Sequence, residues 1–180
     1  MARNARVEIQ MTEGSLWKNI LVFSIPLVFS QLLQVLFNIA DVAVVGKFAN
    51  DTALGSVGST STLVTLFTGY LIGMGSGVNV RVAQHLGAQQ EEETSRSVHT
   101  SLILCTLSGL LIMVICLTLA GSMLRLLNTK DDLLPGAVLY FRVYAVGMPA
   151  LGIFNFGNAV LSATGDTKRP LLYLTIAGVL

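Results

Sequence analysis

Residues 20–45 form an apolar run broken only by Ser24, Ser30, Gln31, Gln34, Asn38 and Asp41. A run of this kind exceeds the roughly 20 residues a helix needs to cross a bilayer. In hydrocarbon each backbone N–H and C=O must find its partner inside the segment, so the run is committed to a helix. It is also longer than the core of about 7–15 residues found in a cleavable signal peptide, and reads as an uncleaved span. Ser15 can cap it, and Trp17 and Lys18 stand where an interfacial anchor belongs. The rest of the chain follows suit. It is 53% hydrophobic and 12% charged, against about 25% charged in an average soluble domain.

A polar N-terminal tail over residues 1–14 precedes a membrane lobe over residues 15–180. Helices are expected at about 16–45, 54–80, 99–121, 134–163 and 170–180. The fold class is therefore an all-α integral membrane protein with about five transmembrane helices, the fifth truncated. Its residues rise about 16 Å, half of the ~30 Å hydrocarbon core, so the chain reads as a piece of a longer protein. Residues 81–96, with Glu91, Glu92 and Glu93, and residues 125–132 are expected as polar loops, and residues 165–170 as a tight charged turn. With the N-terminus placed in the cytoplasm, Arg3, Arg6, Lys18, Arg81, Arg96, Lys168 and Arg169 fall inside. Lys47, Arg125 and Lys130 fall outside, with Arg142 close to the outer end of its helix. The excess is on the inner side, as the positive-inside rule requires.

Several classes of function drop out. The net charge is +1, without the basic excess of a nucleic-acid binder. Cys105 and Cys116 share one helix about 16 Å apart, too far to bridge, and read as small buried hydrophobes. His85, His99 and the three glutamates lie in or beside a polar loop with no spacing that demands a metal. No Walker A motif, nucleophile elbow, HExxH or dinucleotide fingerprint is present, so neither an enzyme nor a bound cofactor is expected.

What remains are polar residues inside spans. Gln34, Asn38 and Asp41, with Gln31 one turn earlier, recur at helical spacing. An ionised Asp near the bilayer centre costs at least about 2.5–3.5 kcal/mol, and such residues usually face a bundle interior or a wet cavity. There Asp41 could carry a proton, or with amide oxygens hold a sodium ion; the alternative is that it merely sits at the interface. Pro26 removes one backbone hydrogen bond from the same helix and is expected to kink it, as fixed shape or as a hinge. Asn155, Asn158 and Ser162 make a second stripe, after Gly147-Met148-Pro149, for interhelical hydrogen bonds or for lining a cavity. Gly69, Gly73 and Gly77 form GxxxGxxxG, which is expected to let a neighbouring helix approach closely. Thr62, Thr65 and Thr68 either satisfy backbone groups or line a cavity.

Taken in order, these segments resemble the multidrug and toxic compound extrusion (MATE) family of transporters. Ile25-Pro26 followed by Gln34, Asn38, Asp41 and Gly46 is similar to the family's first helix. Val82-Ala83-Gln84-His85-Leu86-Gly87-Ala88 resembles its loop after the second, and Tyr140-Phe141-Arg142 with Gly147-Met148-Pro149 its fourth. Gly165-Asp166-Thr167-Lys168-Arg169-Pro170 resembles the turn before its fifth. The resemblance implies two six-helix lobes, of which this chain would supply part of the N-terminal one, the remaining C-terminal part being its partner. It implies multidrug efflux of cationic or amphipathic, drug-like compounds by antiport against Na+ or H+, in the plasma membrane, as in the inner membrane of a bacterium. By the resemblance Asp41 would belong to the cation-coupling site, whose remaining polar residues come from the family's fifth and sixth helices, and Pro26 would be the hinge; from their stripes, Asn38 and Gln34 are expected to join Asp41, and Asn155 and Asn158 to line the substrate cavity. Two other readings stand beside it: a flippase for lipid-linked precursors of the same superfamily, with Arg142 as its internal cation, and a non-transporting scaffold or receptor subunit.

Overall fold

The computed structural model of the chain describes residues 16–48 and 51–179. Among these, all regular structure is helical: α1 (Leu16–Phe48), α2 (Asp51–Gly87), α3 (Glu91–Leu126), α4 (Leu134–Val146), α5 (Met148–Ala163) and α6 (Lys168–Val179). The first three are each long and apolar enough to cross a membrane. Together α4 and α5 are long and apolar enough to make a fourth span, as a pair bent by 44° at their junction. The polar tail expected at residues 1–14 lies outside the described residues.

The expected single helix over 134–163 is thus two helices. Pro149 has no N–H to offer the carbonyl of Ala145, and its ring crowds the preceding turn. The chain passes the break through Gly147, whose N–H donates to Tyr144 O at 3.0 Å while its own carbonyl accepts from Leu151 N. The polar stretch 81–96 is not a loop either. α2 continues through His85 to Gly87, and α3 opens at Glu91, leaving a three-residue connection. Glu91, Glu92 and Glu93 occupy the first turn of α3, where negative charge meets the positive end of the helix dipole. Arg96 reaches back to Glu92 at 3.7 Å and to Glu93 at 3.5 Å. Of the segment that resembles a loop, Val82 to Gly87 is therefore the end of a helix, and only Ala88 belongs to the connection. The turn expected at 165–170 forms over 165–167, with α6 already begun at Lys168: Gly165 takes φ 83°, a left-handed conformation that glycine adopts without a Cβ penalty. Asp166 Oδ1 then accepts from the Arg169 backbone N–H, and Asp166 Oδ2 pairs with its guanidinium at 2.9 Å.

The packed centre lies among α2, α3, α4 and α5. Leu71, Ile112, Cys116, Phe141 and Met148 fill it at one end, with the Phe67 and Phe141 rings 6.3 Å apart. Val78, Val82, Cys105 and Ala159 fill the other. Both cysteines are free and buried, as expected of small hydrophobes. Close approach of helices rests on glycine, but not on the expected GxxxGxxxG. A Cβ built on Gly69, Gly73 or Gly77 meets nothing within 4 Å. The contacts are made instead at Gly75, Gly109 and Gly152, which bring α5 onto α2 and α3. Outward faces are apolar along the length of α1 and α3, with Leu21, Phe29, Leu36, Ile103, Leu107 and Leu111 exposed. Water would not tolerate a face of that extent, whereas lipid does.

Candidate functional site

Among the described residues, α1 packs only on α2 and α6. It stands off from α4 and α5, and the space between is occupied by two cavities. Which side chains enter them follows from helical spacing along α1 and α2.

The first cavity, about 500 Å³, lies between α1, α2 and α4. From α1 come Asn38 and Val42, from α4 Tyr140 and Tyr144, and from α2 a row that includes Thr60, Ser61, Thr65, Thr68 and Gly69. Thr60 and Ser61 return their hydroxyl protons to Val57 O and Gly58 O, at 2.8 and 2.7 Å. Thr68 Oγ1 lies 3.5 Å from Tyr144 Oη, a link across the cavity between α2 and α4. The Tyr140 and Tyr144 rings stand 6.3 Å apart on one face of α4.

The second cavity, about 310 Å³, lies between α1, α2 and α5. Gln31 and Gln34 of α1 face Ser76 and Asn79 of α2 and Asn155, Asn158 and Ser162 of α5 across it. Phe23 and Leu27 make its apolar wall. Asn79 Nδ2 donates to Ala159 O at 2.9 Å, tying α2 to α5. Asn155 Nδ2 donates to Leu151 O at 2.9 Å in its own helix, and Ser76 Oγ to Ile72 O at 3.1 Å. Asn158 Oδ1 is buried and finds no partner among the described residues. Gly75 makes the arrangement possible, because a Cβ there would stand 3.2 Å from Asn155 O. No Asp, Glu, Lys or Arg is among the described lining of either cavity.

The stripe read along α1 is thus divided between two sites. Gln34 belongs to the second cavity and Asn38 to the first, joined through the bond from Asn38 Nδ2 to Gln34 O at 3.0 Å. Asp41 lies in α1 three residues beyond Asn38, and its side chain lies outside the described residues. Pro26 is buried within α1, which continues through it as one helix, and its carbonyl accepts from Ser30 Oγ at 3.0 Å. Asn155 and Asn158 meet Gln34 across the second cavity. Thr65 and Thr68 line the first cavity; Thr62 lines neither. Sequence reading passed over Tyr140 and Tyr144 as lining residues, and over Ser76 and Asn79. The spacing of three between Ser76 and Asn79 in an apolar helix was the available signal. Arg142 is exposed and lines neither cavity.

The sequence model of the MatE family matches residues 26–180. The chain is similar to the "Probable multidrug resistance protein YoeA" of Bacillus subtilis, 29% identical over 169 residues, which cover 94% of this chain and 36% of that protein. It is also similar to the "FAD transporter" of Shewanella oneidensis, 25% identical over 166 residues, covering 89% of this chain and 35% of that one. Among solved structures, a MOP superfamily transporter from Pyrococcus furiosus described as having a binding pocket of reverse polarity superposes with a TM-score of 0.88 at 27% identity, covering 97% of this chain and 38% of that one. A structure of "MATE in the bent conformation" superposes with a TM-score of 0.87 at 27% identity, covering 97% and 39%. The chain therefore spans little more than a third of the proteins it matches. With most of its residues inside the family match and its helices laid out as in solved members, this multi-pass membrane protein belongs to the MatE family of transporters.

Proposed function

We propose that the chain forms part of the N-terminal lobe of a secondary exporter, which expels cationic or amphipathic compounds by antiport against Na+ or H+. The observation that carries this reading is the convergence of amide and hydroxyl side chains from α1, α2, α4 and α5 on two cavities inside membrane-spanning helices. Polar groups are costly at that depth and are retained there mainly where they face a cavity or a pathway. Asp41, one helical turn beyond Asn38, is the coupling residue in this reading: it binds the cation and exchanges it for cargo. Asn38 and Gln34 support it, Asn155 and Asn158 line the cargo cavity, and Pro26 is the hinge about which the Asp41 half of α1 moves. Solved structures of "MATE in the bent conformation" and of "MATE in the straight conformation", both similar to this chain, support a part that moves, which this reading assigns to α1. The N-terminus lies in the cytoplasm and the protein in a bacterial plasma membrane. The absence of Arg and Lys from the described cavity linings gives no support to a site for the phosphates of a lipid-linked precursor.

The test is Asp41→Asn in the full-length protein reconstituted in vesicles. Dye efflux driven by an imposed sodium or proton gradient is expected to fall to the level of protein-free vesicles. Coupled efflux that persists unchanged removes Asp41 from the mechanism, and its response to each gradient in the unaltered protein identifies the ion.

A further inference from the structure

The two cavities change over at one level in each helix that lines them. On α1, Asn38 faces the first and Gln34, one turn earlier, the second. The first is lined by Tyr140 and Tyr144 of α4 and the second by Asn155 and Asn158 of α5, so the changeover falls at the break beside Gly147. On α2 it falls at Ile72, the one residue among the described linings that borders both cavities.

Ile72 differs from its neighbours on that face of α2. Before it come Thr65, Thr68 and Gly69, and after it Gly75, Ser76 and Asn79, all of them small or polar. Leu71 beside it is 1% exposed and belongs to the packed centre, whereas Ile72 is 42% exposed and projects where the cavities meet. A side chain branched at Cβ is held close to one rotamer in a helix, so it does not swing aside as an unbranched one can. Ile72 is thus a fixed apolar rib between two compartments of about 500 and 310 Å³. Each compartment is within the range that holds a small organic molecule. A rigid molecule longer than either has to cross the rib.

We propose that Ile72 is a specificity-determining residue: it partitions one cleft into two compartments and so sets the length of rigid molecule that the cleft accepts. The proposal deepens the export reading and rests on it for the identification of the ligand as cargo. Short or flexible molecules fit on one side of Ile72 or bend over it, and long rigid rods are turned away.

The probes are 1-methyl-4-phenylpyridinium and its analogue with three para-linked phenyl rings, which share head group and width and differ in length. Their affinities are measured by calorimetry on the purified full-length protein. Ile72→Ala is expected to raise the affinity for the long rod relative to the short one by about tenfold or more, the relief of an overfilled site. Ile72→Val, which keeps the branch and loses one methyl group, should give a smaller rise, and serves if the alanine variant does not fold. Adding Ser76→Phe to Ile72→Ala refills the second compartment and should return the ratio to that of the unaltered protein. A ratio unchanged in both Ile72 variants overturns the proposal. So does a rise that survives Ser76→Phe, because the rod then does not lie across the rib, or failure of the short rod to bind the unaltered protein. Gradient-driven efflux in Asp41→Asn is measured apart from these affinities, so the length limit and the export reading fail separately.

Discussion

Gly109 of α3 lies directly against Pro149 of α5: a Cβ built on Gly109 would stand 2.8 Å from the Pro149 Cα and 3.0 Å from Met148 O. The break between α4 and α5 is therefore seated on bare backbone. A proline frees a carbonyl and turns the chain, but it does not decide which way the turned helix leans. Here the lean is accommodated by the missing side chain at Gly109, and one turn away by Gly152, where a Cβ would meet Cys105 O at 2.8 Å.

Gly109→Ala is accordingly expected to lower stability by about 1–3 kcal/mol, the usual penalty for overfilling a packed site. The neighbours are backbone atoms, which cannot swing aside as a side chain could. Thermal unfolding of the detergent-solubilised protein should show a lower Tm for Gly109→Ala and for Gly152→Ala. A Tm equal to that of the unaltered protein would mean that the two helices slide apart at no cost.

The contrasting expectation falls on the motif that looks more like a packing device. Gly73 and Gly77 have open space where a Cβ would go. Alanine favours helix over glycine by up to about 1 kcal/mol. Gly73→Ala and Gly77→Ala should therefore leave the Tm unchanged or raise it. A fall would reveal a helix from outside these residues seated on that face of α2.

The contrast shows what could be read from the sequence. Spans were legible because hydropathy and length decide them, and α1, α2, α3 and the turn at Gly165 follow from composition and local chemistry. The extent of α3 was not, because Glu91, Glu92 and Glu93 look like a solvated loop by composition. The dipole of a helix N-terminus welcomes them, and nothing obliges a helix to stop at the membrane surface. Which glycines touch a neighbour depends on how helices cross, and neither the motif nor its period states that. The cavities were half legible. Gln34, Asn155 and Asn158 announce themselves as costly polar residues. Their convergence depends on α1 standing away from α4 and α5, a tertiary relation that also divides Gln34 from Asn38.

Cys105 and Cys116 are 2% and 0% exposed and lie in the packed centre. The thiolate is the reactive form of cysteine, and a wall of apolar side chains neither solvates it nor admits a bulky reagent. Neither residue is expected to react with a membrane-permeant maleimide in the folded protein, and both should react in dodecyl sulfate. Mass spectrometry of the labelled peptides reads the result. Rapid labelling of either in the native membrane would contradict the packing of α3 on α5 described above.

Ser56 of α2 is 5% exposed, and its hydroxyl donates to Leu133 O at 3.0 Å, just before α4 begins. The same hydroxyl would stand 2.7 Å from a Cβ on Gly136, so small residues face each other on both helices. Two effects can then be separated by size. Ser56→Ala takes away the hydroxyl and its hydrogen bonding without adding volume, and Leu133 O still accepts from Ala137 N at 2.9 Å, so the expected cost is about 1 kcal/mol per hydrogen bond lost. Ser56→Leu adds volume where there is none, and should cost a further 1–3 kcal/mol or so. Chemical denaturation of the two variants should rank leucine below alanine and alanine below the unaltered protein. If leucine proved as stable as alanine, the seam between α2 and α4 would have to be looser than the approach of Gly136 to Ser56 implies.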